Sequence, residues 1–333
     1  MKVCHFISSQ GLGRGEFYID LINEQCLNDG VECYLLVPKK SKFKDRVDSN
    51  VKIIEYTSKD SRYNLLLYFE LIRIFNSIKF DLVHTHFAKS TEIFYRLNKL
   101  LNINHVATKH NSRKGKIFNK LKYVTAVSKG VAKTISIESK VIYNGIKYNI
   151  LENSNKNDKF TICAVGRLDK IKGFDILIDE LSKLKKDFIL NIVGDGDERE
   201  NLEAIIKEKK LENKVKLLGF RTDIPQILNN SDLVVMSSHS EGFSVLMIES
   251  IFYAKVFIST NVSGCNEILS EKLLIDGFNI ANKVEDVISN YKDYISEFKK
   301  IKDVQKEALK LENIAKEYIK YYEWVIENEN SSN

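Results

Sequence analysis

The segment Ser237-Ser238-His239-Ser240-Glu241-Gly242-Phe243-Ser244-Val245-Leu246-Met247-Ile248-Glu249 follows an apolar run at residues 232–236. That run reads as a buried parallel strand, since strands covered on both faces carry near-continuous apolar residues. Small polar residues, an acid, a glycine and an aromatic make the turn. A helical pattern starts after Ser244, which is placed to cap it. Backbone N–H groups at such a helix start favour anions, phosphate above all. Glu241 in the turn and Glu249 in the helix would repel a phosphate they faced. They suit hydroxyls on either side of one, as in a nucleotide-sugar, where a diphosphate joins a sugar to a ribose. The plainer alternative is an ordinary turn with two solvated acids, and the segment alone does not separate the two.

The same pattern brackets this segment. Residues 160–165, 188–193, 215–218 and 256–259 read as strands. Residues 174–183, 198–210 and 223–229 read as helices, and 266–269 as a turn or short helix. From Val284 the tail reads as helix, with aromatics at Tyr318, Tyr321, Tyr322 and Trp324 that suit core packing first. Gly166-Arg167-Leu168-Asp169-Lys170-Ile171-Lys172-Gly173 follows the first of these strands, which puts Arg167 and Lys172 at its carboxyl end. Arginine offers phosphate a bidentate fork and lysine a point charge. A solvated basic loop is the alternative.

Upstream, Val3-Cys4-His5-Phe6-Ile7 is a short strand that runs into Gly11-Leu12-Gly13-Arg14-Gly15-Glu16, and a helical pattern follows. Strand, glycine loop and helix open a Rossmann-like unit. The glycines do not spell G-x-G-x-x-G and no acid ends the second strand at 32–37, so a nicotinamide cofactor is not expected. Strands at 51–55, 81–86, 105–110, 123–127 and 141–143 alternate with helices at 65–78 and 90–101, a short helical piece at 118–121 and a helix capped by Ser128. This alternation predicts a doubly wound parallel sheet. Residues 151–159 are polar and aperiodic, as in a linker. The chain therefore reads as α/β, with an acceptor-side domain at 1–150 and a donor domain at 160–305. The C-terminal helix at 306–333 is expected to pack on the first domain. Ligands are expected to gather at the carboxyl ends of both sheets.

The composition, 44% hydrophobic and 29% charged over 333 residues, is that of a soluble globular protein. Net charge is uneven, +12 over residues 1–150 and −6 over the rest, so the first half is expected to meet something anionic. Cys4, Cys26, Cys33, Cys163 and Cys265 form no CxxC pair and read as structural thiols of a reducing compartment. Met1-Lys2 leads straight into a strand and no apolar run approaches a membrane span, so neither a signal peptide nor a transmembrane helix is expected.

In order along the chain stand Gly166-Arg167-Leu168, Lys172-Gly173, Val193-Gly194-Asp195-Gly196, Gly219-Phe220 and Ser240-Glu241-Gly242-Phe243 with Glu249. This set resembles the second half of GT-B glycosyltransferases of the large retaining group called family 4. The match covers most of residues 160–270. The first half is similar in layout at Gly13-Arg14-Gly15-Glu16, His84-Thr85-His86, Thr108-Lys109-His110, Val127-Ser128 and Asn144-Gly145-Ile146. The resemblance implies a GT-B fold: two Rossmann-like domains facing each other across a cleft, with the last helix crossing back to the first. It implies that Arg167 and Lys172, with Gly166, hold the donor diphosphate and that Glu249 binds the ribose. Glu241 would contact the donor sugar, with the Gly242 and Phe243 backbone near sugar and phosphates. His110 would lie beneath the reacting sugar. Gly13, Gly15 and His86 would serve the diphosphate or the acceptor.

His84 and His86 lie two apart on one strand and face the same side, which makes a metal pair conceivable. No third ligand is evident in the sequence, and Asp195-Gly196-Asp197 reads as a turn, so no metal and no cofactor are expected. Between Glu92 and Glu138 there are ten basic residues and no acid, with Arg113, Lys114, Lys116, Lys120 and Lys122 close together. With Phe118, Leu121 and Tyr123 among them, this patch suits a lipid phosphate, a lipopolysaccharide core or shallow contact with an anionic membrane face. A solvated face is the alternative, and no nucleic-acid motif accompanies the charge. The expected function is a cytoplasmic retaining transferase, soluble or peripheral on the membrane's inner face. It would move a hexose or N-acetylhexosamine from a nucleoside-diphosphate-sugar, UDP-linked by preference, to a glycan or lipid-linked acceptor of the bacterial cell envelope. The alternatives are a nucleotide-sugar epimerase or phosphorylase of the same fold, or a non-catalytic sugar- or lipid-binding subunit.

Overall fold

Short apolar runs become strands, the central ones Leu82–His86, Tyr123–Ala126, Leu233–Met236 and Phe257–Thr260 buried along their whole length, and the helical patterns between them cover the sheets. The computed structural model describes residues 1–9, 16–113, 115–151 and 158–331. Gly13, Gly15, Lys114 and most of the expected linker lie outside the described residues.

Two units are present, one made of Met1–Lys147 with Leu309–Asn333, the other of Tyr148–Ala308. The first contains β1 (Lys2–Ile7), α1 (Glu16–Cys26), β2 (Glu32–Pro38), β3 (Lys52–Tyr56), α2 (Leu65–Ser77), β4 (Leu82–His86), α3 (Phe87–Leu101), β5 (Asn104–Lys109), β6 (Tyr123–Ala126), α4 (Lys129–Ala132) and β7 (Lys140–Val141). Its strands are all parallel in the order β3-β2-β1-β4-β5-β6-β7. The direction of winding reverses between β1 and β4, and a crevice forms at such a switch point, outside the carboxyl ends of the strands.

The second unit contains β8 (Thr161–Val165), α5 (Phe174–Ser182), β9 (Ile189–Val193), α6 (Arg199–Glu208), β10 (Val215–Leu217), α7 (Ile224–Asn230), β11 (Leu233–Met236) and α8 (Val245–Tyr253). It ends with β12 (Phe257–Thr260), α9 (Cys265–Ile268), β13 (Leu274–Ile275), α10 (Ile280–Ser289) and α11 (Tyr291–Ala308). The sheet is again parallel, β10-β9-β8-β11-β12-β13, with its switch between β8 and β11. The sixth strand, β13, carries only two residues and no sequence pattern announces it.

The last helix, α12 (Leu311–Asn330), belongs to the first unit. It starts at Leu311 and not at 306, because residues 306–308 complete α11 and Lys310 then bridges to Ile146 in parallel. Ile314, Ala315, Tyr318, Tyr322 and Val325 recur at helical spacing and are buried with Val3, Leu21, Leu82 and Val106. Each of the larger aliphatic side chains among them contributes about 1.5–3 kcal/mol by leaving water. α3 starts three residues before the expected Ser90, at Phe87, whose φ is 70°. That left-handed conformation is strained for a bulky residue.

One expectation is overturned here. Phe118, Leu121 and Tyr123 are buried core residues, so they are not available for shallow membrane contact. Lys122 is paired with Glu329 of α12 at 2.6 Å. Of that segment the exposed described surface is mainly Arg113, Lys116, Lys120 and Lys122, with Asn119.

Candidate functional site

In the second unit, the loops after β8, β9 and β11 meet at the carboxyl edge of the sheet, on both sides of its switch point. Backbone bonds fasten them together. Gly166 N–H donates to Val193 O at 2.9 Å, Leu168 N–H to Asp195 O at 3.0 Å and His239 N–H to Ile171 O at 2.8 Å. Two glycines are needed for this closeness. A Cβ on Gly194, whose φ is +136°, would sit 1.9 Å from Gly166 O, and one on Gly173, at +62°, would sit 2.5 Å from Ser237 O. Gly194→Ala is therefore expected to cost about 2–4 kcal/mol in denaturant unfolding, because both contacts are backbone and cannot rotate away.

Lys172 and Glu241 come from different loops and form one ion pair, Nζ to Oε1 at 2.5 Å. Ser238 Oγ donates to the same Glu241 oxygen at 2.9 Å. The pair is largely out of water, with side-chain exposures of 20% and 9%. Glu241 is thus not free for a hydroxyl in this state, contrary to the simple division of cations for phosphate and acids for hydroxyls. Arg167 is exposed and donates twice to Asp169 Oδ2, at 2.8 Å from Nε and 2.5 Å from the terminal nitrogen. Asp169 also accepts from the backbone N–H of Lys172 at 3.2 Å, so one acid holds the Arg167 guanidinium and caps the turn that carries Lys172.

The helix start behaves as its sequence predicts. Ser244 Oγ accepts from Met247 N–H at 3.4 Å, which caps α8. Phe243 is buried in the turn beneath it. Glu249, one turn into α8, has no hydrogen-bond donor among the described residues. The residue keeps some exposure, and burial lifts its carboxyl to about 7.

In the first unit, His84 and His86 do share a face of β4, and β1 adds His5 beside them. The ligand atoms of the three lie within 4.8 Å of one another, so the expectation that no third histidine is at hand was wrong. The missing signal was strand register: His5 pairs with His84 across β1 and β4. All three are buried. His84 is held at both nitrogens, by Tyr322 hydroxyl at 2.5 Å and Thr108 hydroxyl at 2.6 Å. His5 Nδ1 and His86 Nε2 are 3.3 Å apart. Burial drives His86 down to about 3, and drives His5 and His84 well below the ordinary imidazole value, with the neighbouring His86 adding to it. His110, just past β5, stacks on His86 with centroids 5.7 Å apart and lies 4.1 Å from the Tyr18 ring. The strained Phe87 packs its ring 5.3 Å from His110, at the junction of β4 and α3.

The family pattern "Glycosyl transferases group 1" matches residues 147–318, and "Glycosyltransferase Family 4" matches residues 15–149. The chain belongs to this glycosyltransferase family. An uncharacterised glycosyltransferase of Methanocaldococcus jannaschii is 30% identical over 75% of this chain and 74% of its own. A transferase of Campylobacter jejuni is 38% identical over 39% of this chain and 37% of its own; its name makes it a 4-alpha-N-acetylgalactosaminyltransferase acting on a diphospho-undecaprenol-linked sugar. This chain thus spans well under half of that relative. Among solved structures, Anabaena HepE in complex with UDP-glucose superposes with a TM-score of 0.82 at 20% identity, over 100% of both chains. That likeness shows a GT-B fold.

Within the glycosyltransferase, Gly166, Arg167, Lys172, Glu241, Gly242, Phe243 and Glu249 gather at one sheet edge of the second unit, and His86 and His110 at one edge of the first. Sequence reasoning missed Asp169, although it stands two residues from Arg167, and Ser238. It also missed His5 and Tyr18. No described helix is long and apolar enough to cross a membrane.

Proposed function

We propose that this glycosyltransferase takes a UDP-sugar and transfers its hexose or N-acetylhexosamine, with retention and without a metal ion, to a glycan or lipid-linked acceptor of a bacterial cell envelope. The observation that carries the donor reading is the meeting of Lys172, Glu241 and the cap of α8 beside a desolvated Glu249 that lacks a hydrogen-bond donor. The UDP-glucose in HepE and the lipid-diphosphate acceptor in the Campylobacter relative's name support it.

In this reading Arg167 and Lys172 take the diphosphate, with the Gly166 and Gly242–Phe243 backbone and the start of α8 around it. Lys172 turns from Glu241 to the phosphate, which frees Glu241 for sugar hydroxyls. Glu249 accepts from the ribose hydroxyls. Negative charge grows on the departing phosphate as the anomeric bond breaks, and fixed cations and N–H groups stabilise it there. The acceptor hydroxyl attacks from the leaving-group side and gives its proton to the departing phosphate oxygen. His86, which burial keeps neutral at physiological pH, and His110 serve the acceptor side. A cytoplasmic location belongs to the same proposal.

Thermal melting with a panel of UDP-sugars, with and without a chelator, tests the donor and the metal independence. Rapid turnover of donor to an isomer without acceptor would favour an epimerase instead. Glu249 gives a sharper test. Ribose hydroxyls donate more strongly to the carboxylate than to the protonated acid, so affinity for UDP is expected to rise up to about tenfold from pH 6 to pH 8. Glu249→Gln is expected to flatten that profile. Without ligand the sign reverses: a raised carboxyl loses stability as pH rises from its unfolded value to about 7. Glu249→Gln is then expected to be more stable than the parent at pH 8, by about 3 kcal/mol. Weaker UDP binding together with a lower melting temperature would point to structural damage and count against the ribose role.

A further inference from the structure

A cavity of about 830 Å³ opens at the carboxyl ends of β1, β2 and β3 in the first unit. Lys39, Lys40, Lys59 and Lys89 line it with small hydroxyl side chains. Its one acid, Asp60, is largely buried and already engaged. Lys89 donates to it at 2.5 Å, Ser8 hydroxyl at 2.6 Å and Tyr56 hydroxyl at 3.0 Å. Among the described residues, no ion pair engages Lys39, Lys40 or Lys59. The cavity is therefore a built cationic site whose single acid is neutralised internally.

The wall of this cavity continues into α2. Glu70 of α2 accepts from the Thr57 and Ser58 N–H groups, both at 2.8 Å, and Asn64 donates to Lys59 O at 2.8 Å. The first turns of α2 carry large apolar side chains facing solvent: Leu65 is 73% exposed, Leu66 71% and Phe69 65%, with Tyr63 just before them at 79%. Leu65 and Leu66 lie four and three residues from Phe69, so the three form one surface. Isolated exposed apolar residues need no explanation, but a contiguous group rimmed by charge marks an interaction site.

We propose that cavity and helix face form one site for a phosphate-bearing lipid. The phosphate sits among Lys39, Lys40 and Lys59, and the hydrocarbon lies on Leu65, Leu66 and Phe69. The inference rests on the transferase reading and names the acceptor's lipid end. A soluble glycan would need hydroxyl partners, acids and amides above all, whereas this surface offers unpaired cations beside hydrocarbon. It is also a different surface from the basic segment at 113–122, whose apolar residues are buried.

The test is co-sedimentation with phosphatidylcholine vesicles that contain or lack polyprenyl phosphate, and melting with soluble pyrophosphate. Binding is expected to require the polyprenyl phosphate. Removing the three lysines together as Lys39→Ala, Lys40→Ala and Lys59→Ala should weaken it about fivefold per lysine. Leu66→Glu with Phe69→Glu should weaken it at least tenfold, and both variants should keep the parent's melting shift with UDP. Equal vesicle binding by parent and variants would overturn the proposal. So would stabilisation by pyrophosphate with no vesicle binding, which would mean a free-phosphate site. A parent dimer that the Leu66→Glu and Phe69→Glu variant turns into a monomer, with vesicle binding unchanged, would assign the helix face to a second copy. Failure of every UDP-sugar to bind the parent would sink the UDP-donor reading and leave the lipid result standing.

Discussion

Lys172→Ala is expected to lower sugar transfer by about 100- to 1000-fold, the loss found when one group stabilising transition-state charge is removed. The same change should also destabilise the ligand-free protein by roughly 2–3 kcal/mol, because it leaves the Glu241 carboxylate, 9% exposed, with Ser238 as its remaining contact. Activity alone therefore cannot separate a catalytic cation from a structural one. Adding Glu241→Gln to Lys172→Ala removes the stranded charge. The double variant should regain most of the stability in urea unfolding, yet transfer should stay as low as in Lys172→Ala. Recovery of both together would make the pair structural. Transfer within about threefold of the parent in Lys172→Ala would remove Lys172 from the diphosphate.

The pair also shows how far the chain could be read without its fold. Local patterns were legible: the apolar run of β11, the Ser244 cap and the Arg167–Lys172 loop are each written in a few consecutive residues. Both sheets, and the family resemblance, followed from such patterns. Pairings across the sheet were not legible. Lys172 meets Glu241 across 69 residues and His5 meets His84 across 79, and only strand order and register bring them together. Which side of a segment faces water was also not legible. The run 65–75 of α2 is apolar apart from Glu70 and Arg73, so its sequence cannot say that Leu66 and Phe69 face water while Leu67, Leu71 and Phe75 are core. Conversely, lysines around Phe118 suggested a surface. The ring turns inward and Lys109 lies over it at 5.9 Å, its long stem covering the aromatic.

Below about pH 6 the first unit is expected to lose stability steeply while the second does not. His5, His84, His86 and His105 are all buried in the first unit. Their hydrogen-bond partners are hydroxyls and one another, with no carboxylate among them. Burial holds His86 and His105 at about 3 and the other two well below the ordinary value. For a depressed imidazole, the unfolded chain takes up the proton first as pH falls through about 6.5. Each then removes about 1.4 kcal/mol of stability per pH unit until its folded value is reached. Four together remove roughly 5 kcal/mol per unit, which is comparable to the whole stability of a typical domain. Glu249 in the second unit acts with the opposite sign, since its raised carboxyl favours the folded state as pH falls from about 7. Hydrogen exchange measured from pH 7 to pH 5 should show residues 1–147 losing protection well before residues 148–308. His105→Gln, which keeps a polar partner for the Thr85 hydroxyl (2.9 Å from the ring), should make the decline shallower by about one proton. Simultaneous loss in both units, with a slope under one proton, would show that these imidazoles are reached by water or charged in the folded protein.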